Sequence, residues 1–186
     1  MFMLYFITGN KNKFKEFQDI LWADQVEQLD IDLPELQEID PHKIIRHKLQ
    51  EALKHHKGPI LIEDTSLYME CLWSKLPWPL IKWFLQELKN EGLYELAKKY
   101  NNFNAKATVL IAYAKNIDEI EFFEGTVKWT IVEPVHTDFW RDGIFQAEGY
   151  HRPYGAMSKE EKNKISMRRI AVNKVKDFLG KEKNKI

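Results

Sequence analysis

The apolar positions of this chain change period several times, and the changes lay out its elements. Residues 1–8 form a short aromatic and β-branched run that stops at Gly9-Asn10, the pattern of a buried strand. From Lys11 the period lengthens: Phe14, Phe17, Ile20 and Leu21 recur at helical spacing. Residues 26–31 suit a second strand. Over 41–56, Ile44, Ile45, Lys48, Leu49, Ala52 and Leu53 fall on one stripe, with Asp40 as N-cap and Pro41 at the first helical position. Gly58-Pro59 closes that helix, and "PILIE", 59–63, reads as a short buried strand. A helix is expected from near Pro79 to Asn90 and another over 92–100. Strands follow at 105–114 and, as one or two pieces interrupted by Gly125, within 117–133. Ser158 with Glu161 three residues on is a capping box opening a last helical region to about Leu179. The charged tail "GKEKNKI" is expected to fray.

Helices alternate with strands early and strands follow one another later. The fold class is therefore α/β, with a mixed sheet flanked by helices. With 186 residues the chain is expected to form a single domain over 1–186, with room for two lobes. Lysine plus arginine and aspartate plus glutamate number 28 each, so no overall charge draws the chain to a nucleic acid polymer or a membrane. Recognition of charge must come from local clusters. Cys71 is the single cysteine, which excludes an internal disulfide and fits a reducing compartment. The apolar start is too short for a secretory signal, and no stretch approaches the roughly 20 apolar residues of a membrane span. A cytoplasmic setting is expected.

Five stretches carry candidate chemistry. "TGNKNK", 8–13, is a strand that turns into a helix with lysines beside the turn. Backbone N–H groups and the positive end of a helix dipole suit a phosphate there. An ordinary turn with a solvated lysine face accounts for the same residues. "LIEDTSL", 61–67, ends a buried strand in two adjacent carboxylates, Glu63 and Asp64, where strand ends of an α/β sheet build sites. Such carboxylates hold Mg²⁺ or activate a water; a turn cap by Asp64 and Thr65 is the plainer account. "DLPELQEID", 32–40, adds Glu35 among four carboxylates, one of which could complete a metal site with Asp64. Lys82, in "LPWPLIKWF", is either a snorkelling surface residue or a buried charge aimed at an anion. Lys162, Arg168 and Arg169 make a basic helix that either meets a triphosphate or is a solvated face.

These segments, in order "TGNKNKFKE", "LPELQEID…IIRHKLQEAL", "PILIEDTSL", "LPWPLIKWFLQELKNEGL", "FFEGTVKWTIVEP" and "DGIFQAEGYHRPYGAMSKEEKNKIS", resemble the inosine triphosphate pyrophosphatase family over nearly the whole chain. The resemblance implies a two-lobed α/β fold around a long mixed sheet with the site in the cleft, and a homodimer. It implies Mg²⁺-dependent hydrolysis of noncanonical purine nucleotides (ITP, dITP and XTP) to monophosphate and pyrophosphate. Carried over residue by residue, Thr8, Gly9, Asn10 and Lys13 match the phosphate loop. Glu35 and Asp64 match the metal-binding and water-activating carboxylates, with Glu63 beside them and Thr65 next along the strand. Asp64, Glu63 and Lys13 are thus the catalytic candidates. Lys48 and Lys82 match lysines near the phosphates. Phe139 matches the aromatic that stacks on the purine, and Asp142, Lys162, Ser166 and Arg168 match the base-reading region.

The chain departs from the family where the substrate is expected. "LPGP" is "LPWP", "FGWDP" is "FWRDG", "SHR" is "SMR" with Met167, and "TYAEM" is "PYGAM". Trp73, Trp78, Trp129 and Trp140 stand where the family tends to have glycine. Three readings stay open: a pocket remodelled for another nucleotide, a new interface or ligand surface anchored by these tryptophans, or an inactive enzyme. Two function classes follow, a nucleoside triphosphate pyrophosphatase and a binding or assembly protein on the same scaffold.

Overall fold

A computed structural model describes residues 3–21, 26–78, 80–135 and 142–183; the side chains of Asp142, Lys159 and Lys183 lie outside that description. Six strands form one sheet in the order β2-β1-β3-β4-β5-β6. They are β1 (Leu4–Ile7), β2 (Val26–Leu29), β3 (Ile60–Met69), β4 (Asn104–Ala114), β5 (Ile120–Ile131) and β6 (Phe145–Ala147). The helices are α1 (Lys11–Leu21), α2 (Pro41–His55), α3 (Ile81–Lys99), α4 (Lys159–Ile165) and α5 (Met167–Lys183). The sheet is mixed: β1 runs parallel to β2 and β3, and β5 antiparallel to β6. The chain divides into two compact units, one of Met1–Thr65, Val109–Gly125 and Arg168–Ile186, the other of Ser66–Thr108 and Thr126–Met167.

In the first unit, topology assigns each helix a face. The chain passes from β1 to β2 on one side and then back over β1 to β3 on the other. Right-handed crossovers in opposite directions put α1 and α2 on opposite faces of the sheet. The packing agrees. Phe17 of α1 stacks on Phe6, with ring centroids 4.7 Å apart. Ile45, Leu49 and Ala52 of α2 cluster with Ile7, Ile60, Ile62, Leu110 and Ala112. Side chains alternate along a strand, so Phe6 and Ile7 mark the two faces. α5 lies on the α1 face, where Phe178 meets Tyr113 edge-on at 5.4 Å.

In the second unit, Leu85, Leu93 and Ala97 of α3 pack with Met69, Ala105, Ala107, Trp129, Ile131, Ile144 and Phe145. The helix is broken at Lys89 (φ 57°, ψ −168°), one residue before the expected end of its first half. Gly92 follows the break, and a Cβ there would sit 2.6 Å from Leu88 Cβ.

Several sequence expectations hold. Asp40 caps α2, its side chain accepting from the His42 N–H at 2.9 Å, and the Ser158–Glu161 capping box opens α4. Others are corrected. β3 does not stop at Glu63 but runs on to Met69, because Asp64 to Met69 continue a buried, extended stretch. The last helical region is two helices, parted at Ser166, which has extended backbone (ψ 125°). α5 carries on through the charged tail to Lys183 instead of fraying after Leu179. The span after Ala114 is one strand, Ile120–Ile131, uninterrupted at Gly125, and the short β6 was not anticipated. Among the described residues no helix is long and apolar enough to cross a membrane.

Candidate active site

The order β2-β1-β3 reverses direction between β1 and β3, and in α/β sheets ligands bind beyond the carboxyl ends of strands at such a point. Ile7 pairs in register with Ile62, so the Thr8–Asn10 turn leaves the sheet beside Glu63 and Asp64. Glu63 and Asp64, being neighbours on a strand, face opposite sides. Glu63 meets side chains from α1 and α5, and Asp64 meets α2.

On the α2 side, Lys48 Nζ donates to Asp64 Oδ1 at 3.0 Å, with both side chains largely buried. Asp64 Oδ2 is buried and has no hydrogen-bond partner. Burial pushes the Asp64 carboxyl above its ordinary range, and Lys48, pulling the other way, does not offset it.

On the α1 side, the Glu63 carboxylate is 1% exposed and is held from several directions. Arg168, in the first turn of α5, grips it with two nitrogens: Nε donates to Oε2 at 2.6 Å and Nη2 to Oε1 at 3.0 Å. Lys13 Nζ lies 3.1 Å from Oε1, and Thr65 Oγ1 donates to the same oxygen at 3.3 Å. Arg168 Nη1 also donates to Glu16 of α1. Burial alone would raise the Glu63 carboxyl; the charges of Arg168 and Lys13 outweigh it and bring it down to about 2. The same pairing holds the Arg168 guanidinium above its usual value in spite of its own burial.

The turn before α1 is partly self-satisfied. Asn10 Oδ1 accepts from the N–H groups of Asn12 (3.0 Å) and Lys13 (3.1 Å), so Asn10 is the helix N-cap. Two of the amides that were expected to face a phosphate are occupied by this cap. The Asn10 N–H donates to Thr8 Oγ1, and Gln28 Nε2 donates to the Thr8 carbonyl. Gly9 lies outside the left-handed region, and a Cβ there would meet the Asp30 carboxylate, with Oδ1 at 2.9 Å.

The structure therefore brings together Thr8, Gly9, Asn10, Lys13, Lys48, Glu63, Asp64, Thr65 and Arg168. It shows Arg168 on two carboxylates, where the resemblance implied a purine base. It adds Glu16, which sequence reasoning missed; the only signal was its place one turn after Lys13 on the same helix. Glu35 is exposed on the segment before α2. Among the described residues no group of three or more His, Cys, Asp or Glu side chains is arranged to hold a metal ion. Lys82, Lys162 and Ser166 belong to the second unit. Lys82 is exposed near the start of α3, its Nζ 5.9 Å from the Trp83 ring centre. It is not the buried charge that one reading expected. Lys162 Nζ lies 5.1 Å from the Tyr154 ring centre, and Ser166 is buried. Phe139, Trp140 and the Asp142 side chain lie outside the described residues.

The tryptophans divide. Trp78 and Trp129 are each 5% exposed inside the second unit, with neither indole N–H paired. Trp129 stands edge-on to Phe145 and Tyr154, at 6.0 and 5.0 Å. Trp73 is 77% exposed, with left-handed backbone. The one of the three readings that made these tryptophans surface anchors is thus corrected for Trp78 and Trp129, which are core.

Comparison with known proteins places this arrangement. The chain is 35% identical over 184 residues to an inosine triphosphate pyrophosphatase of Schizosaccharomyces pombe, covering 97% of both chains. Its fold is similar to a HAM1 protein from Coxiella burnetii (TM-score 0.85, 20% identity, covering 97% of this chain and 100% of that one). It is also similar to the Staphylococcus aureus Ham1 protein (TM-score 0.74, 22% identity, 96% and 99% covered). A third similar structure is a nucleoside-triphosphatase / dITP/XTP pyrophosphatase from Mycobacterium abscessus (TM-score 0.68, 21% identity, 93% and 98% covered). Residues 4–178 match the Ham1 family, and with that match spanning nearly its whole length the chain belongs to this family.

Proposed function

We propose that this Ham1-family chain is a Mg²⁺-dependent nucleoside triphosphate pyrophosphatase that cleaves dITP, ITP or XTP to the monophosphate and pyrophosphate. The observation that carries the reading is the divided state of Asp64: one oxygen on Lys48, the other buried and unpartnered at the sheet's switch point. The relatives named above support the substrate class.

The donor set fits Mg²⁺, which commonly takes one or two protein carboxylates and completes its shell with substrate phosphates and water. Asp64 Oδ2 is a hard oxygen with no donor against it, and Glu35 is the second carboxylate of this reading. Mg²⁺ when bound would supply positive charge against the phosphates and the leaving pyrophosphate.

Asp64 aligns a water on the α-phosphorus and takes its proton. A carboxyl raised by burial is a better acceptor than an ordinary one. The new bond joins the water oxygen to the α-phosphorus, and the bond to the β-bridging oxygen breaks, its electron pair leaving with pyrophosphate. Lys48 fixes the Asp64 carboxylate in position, and Lys13 and the Thr8–Asn10 turn receive phosphate charge. Lys82, Phe139, Asp142, Lys162 and Ser166 stay as substrate-binding candidates. A homodimer in the cytoplasm belongs to the same proposal.

The test is turnover. The protein is incubated with Mg²⁺ and, separately, dITP, XTP, dGTP and dATP, with pyrophosphate detected apart from phosphate. Pyrophosphate from dITP or XTP, abolished by chelation and by Asp64→Asn, is the expected result. No turnover of any of the four would overturn the reading. The binding-protein reading keeps Trp73 as an exposed anchor among the described residues; it predicts no turnover and an oligomeric state that changes on Trp73→Gly.

A further inference from the structure

We propose that Arg168 is a positioning residue that makes Lys13 exchangeable: by satisfying buried Glu63 with two bonds of its own, it lets Lys13 leave that carboxylate for a polyphosphate. This rests on the functional reading above and goes beyond it.

The geometry is specific. Glu63 Oε1 has three donors around it, Lys13 Nζ at 3.1 Å, Arg168 Nη2 at 3.0 Å and Thr65 Oγ1 at 3.3 Å. A carboxylate oxygen offers two lone-pair directions, so one of these donors is surplus. The side chains are 23% exposed at Lys13 and 11% at Arg168, against 1% at Glu63, so Lys13 is the donor nearest solvent. An ammonium on a flexible stem is a point charge that moves readily. A guanidinium bound through two nitrogens is a fixed planar clamp. Glu16 holds the third corner of the guanidinium, so Arg168 is anchored from both sides while Lys13, among the described residues, has one ion pair, to Glu63.

The consequence follows from the cost of a lone buried charge. With Arg168 in place, departure of Lys13 leaves Glu63 still paired. Without Arg168, Lys13 becomes the sole cation on a fully buried carboxylate, and removing it would strand that charge. Lys13 would then be locked on Glu63 and lost to the substrate.

The test is a double-mutant cycle between positions 13 and 168, read first by calorimetric binding of inorganic tripolyphosphate. That probe carries no base and needs no turnover. In the wild type, Lys13→Ala is expected to weaken binding about tenfold or more, the value of a charge-assisted contact. In an Arg168→Gln background, the same change should cost less than about threefold, because Lys13 is already sequestered. Arg168→Lys keeps a cation for Glu63, so there Lys13→Ala should again cost about tenfold, and it guards against loss of folding. The ratio of dITP to dATP turnover should stay unchanged in Arg168→Lys.

Equal cost of Lys13→Ala in the wild-type and Arg168→Gln backgrounds would overturn the exchange. A shifted purine ratio in Arg168→Lys would put Arg168 on the base and overturn it as well. Absence of all nucleotide turnover by the wild type would sink the functional reading alone, since the tripolyphosphate cycle still reports the coupling.

Discussion

Lys48 Nζ and Asp64 Oδ1 meet at 3.0 Å, and the contact leaves the second Asp64 oxygen buried without a partner. A lysine so placed orients the carboxylate without using up its second oxygen. The unused oxygen is the one a water or a hard cation would find.

Asp64→Asn should therefore separate activity from stability. Loss of the proton acceptor is expected to lower turnover by about 10²- to 10⁴-fold. Stability should change by no more than about 1 kcal/mol, since the buried charge it removes is itself costly. Pyrophosphate release and urea unfolding, measured on the same preparation, check both halves.

Acid should act through Glu63. Its carboxyl sits at about 2 when folded, against an ordinary 4.5, so the folded state binds that proton less readily than the unfolded chain. The stabilisation is fully present above pH 4.5 and is lost as pH falls toward 2, amounting to about 3 kcal/mol. Asp64, shifted upward, works in the opposite sense: its contribution favours the folded state when protonated and is lost as pH rises through its folded value. Urea unfolding between pH 6 and pH 2.5 should fall steeply for the wild type. For Glu63→Gln the curve should be flatter; an equally steep one would assign the loss to other groups.

The tryptophans should respond according to burial. Trp78→Gly and Trp129→Gly empty core positions and are expected to destabilise by about 3–5 kcal/mol each. Trp73→Gly removes an exposed ring from a left-handed backbone (φ 56°) and should be neutral or stabilise by up to about 1 kcal/mol. Chemical unfolding of the three variants decides it, with sedimentation of Trp73→Gly reporting the oligomer.

Two helical glycines give an opposed pair. A Cβ at Gly92 collides with Leu88 Cβ at 2.6 Å, so Gly92→Ala should cost about 1–3 kcal/mol as the chain after the Lys89 break is displaced. Gly180, in α5, has nothing within 4 Å of the same position, and Gly180→Ala should stabilise by about 0.5–1 kcal/mol. Thermal unfolding of both variants checks the signs.

Much of the frame was legible because it is local. The Asp40 cap, the Ser158–Glu161 box and the stripe of α2 are written within a few residues of where they act. The family resemblance supplied the rest of the fold. What escaped was whatever depends on distant partners. β3 looked finished at Glu63 because two adjacent carboxylates are poor strand interior. Their neutralisation comes from Lys13, Lys48 and Arg168, the last 105 residues away, and no local pattern announces it. The Asn10 cap was hidden for the opposite reason. A turn rich in lysine suggests a ligand, and the side chain that answers the free amides is Asn10 itself, which the resemblance assigned to the phosphate.

One peptide bond separates Glu63 from Asp64, yet their partners come from different layers of the protein. The sheet thereby works as a partition, with a tuning compartment behind it and a working compartment in front. Substitutions in α1 and α5 can adjust how firmly Lys13 is held without touching the Lys48–Asp64 contact.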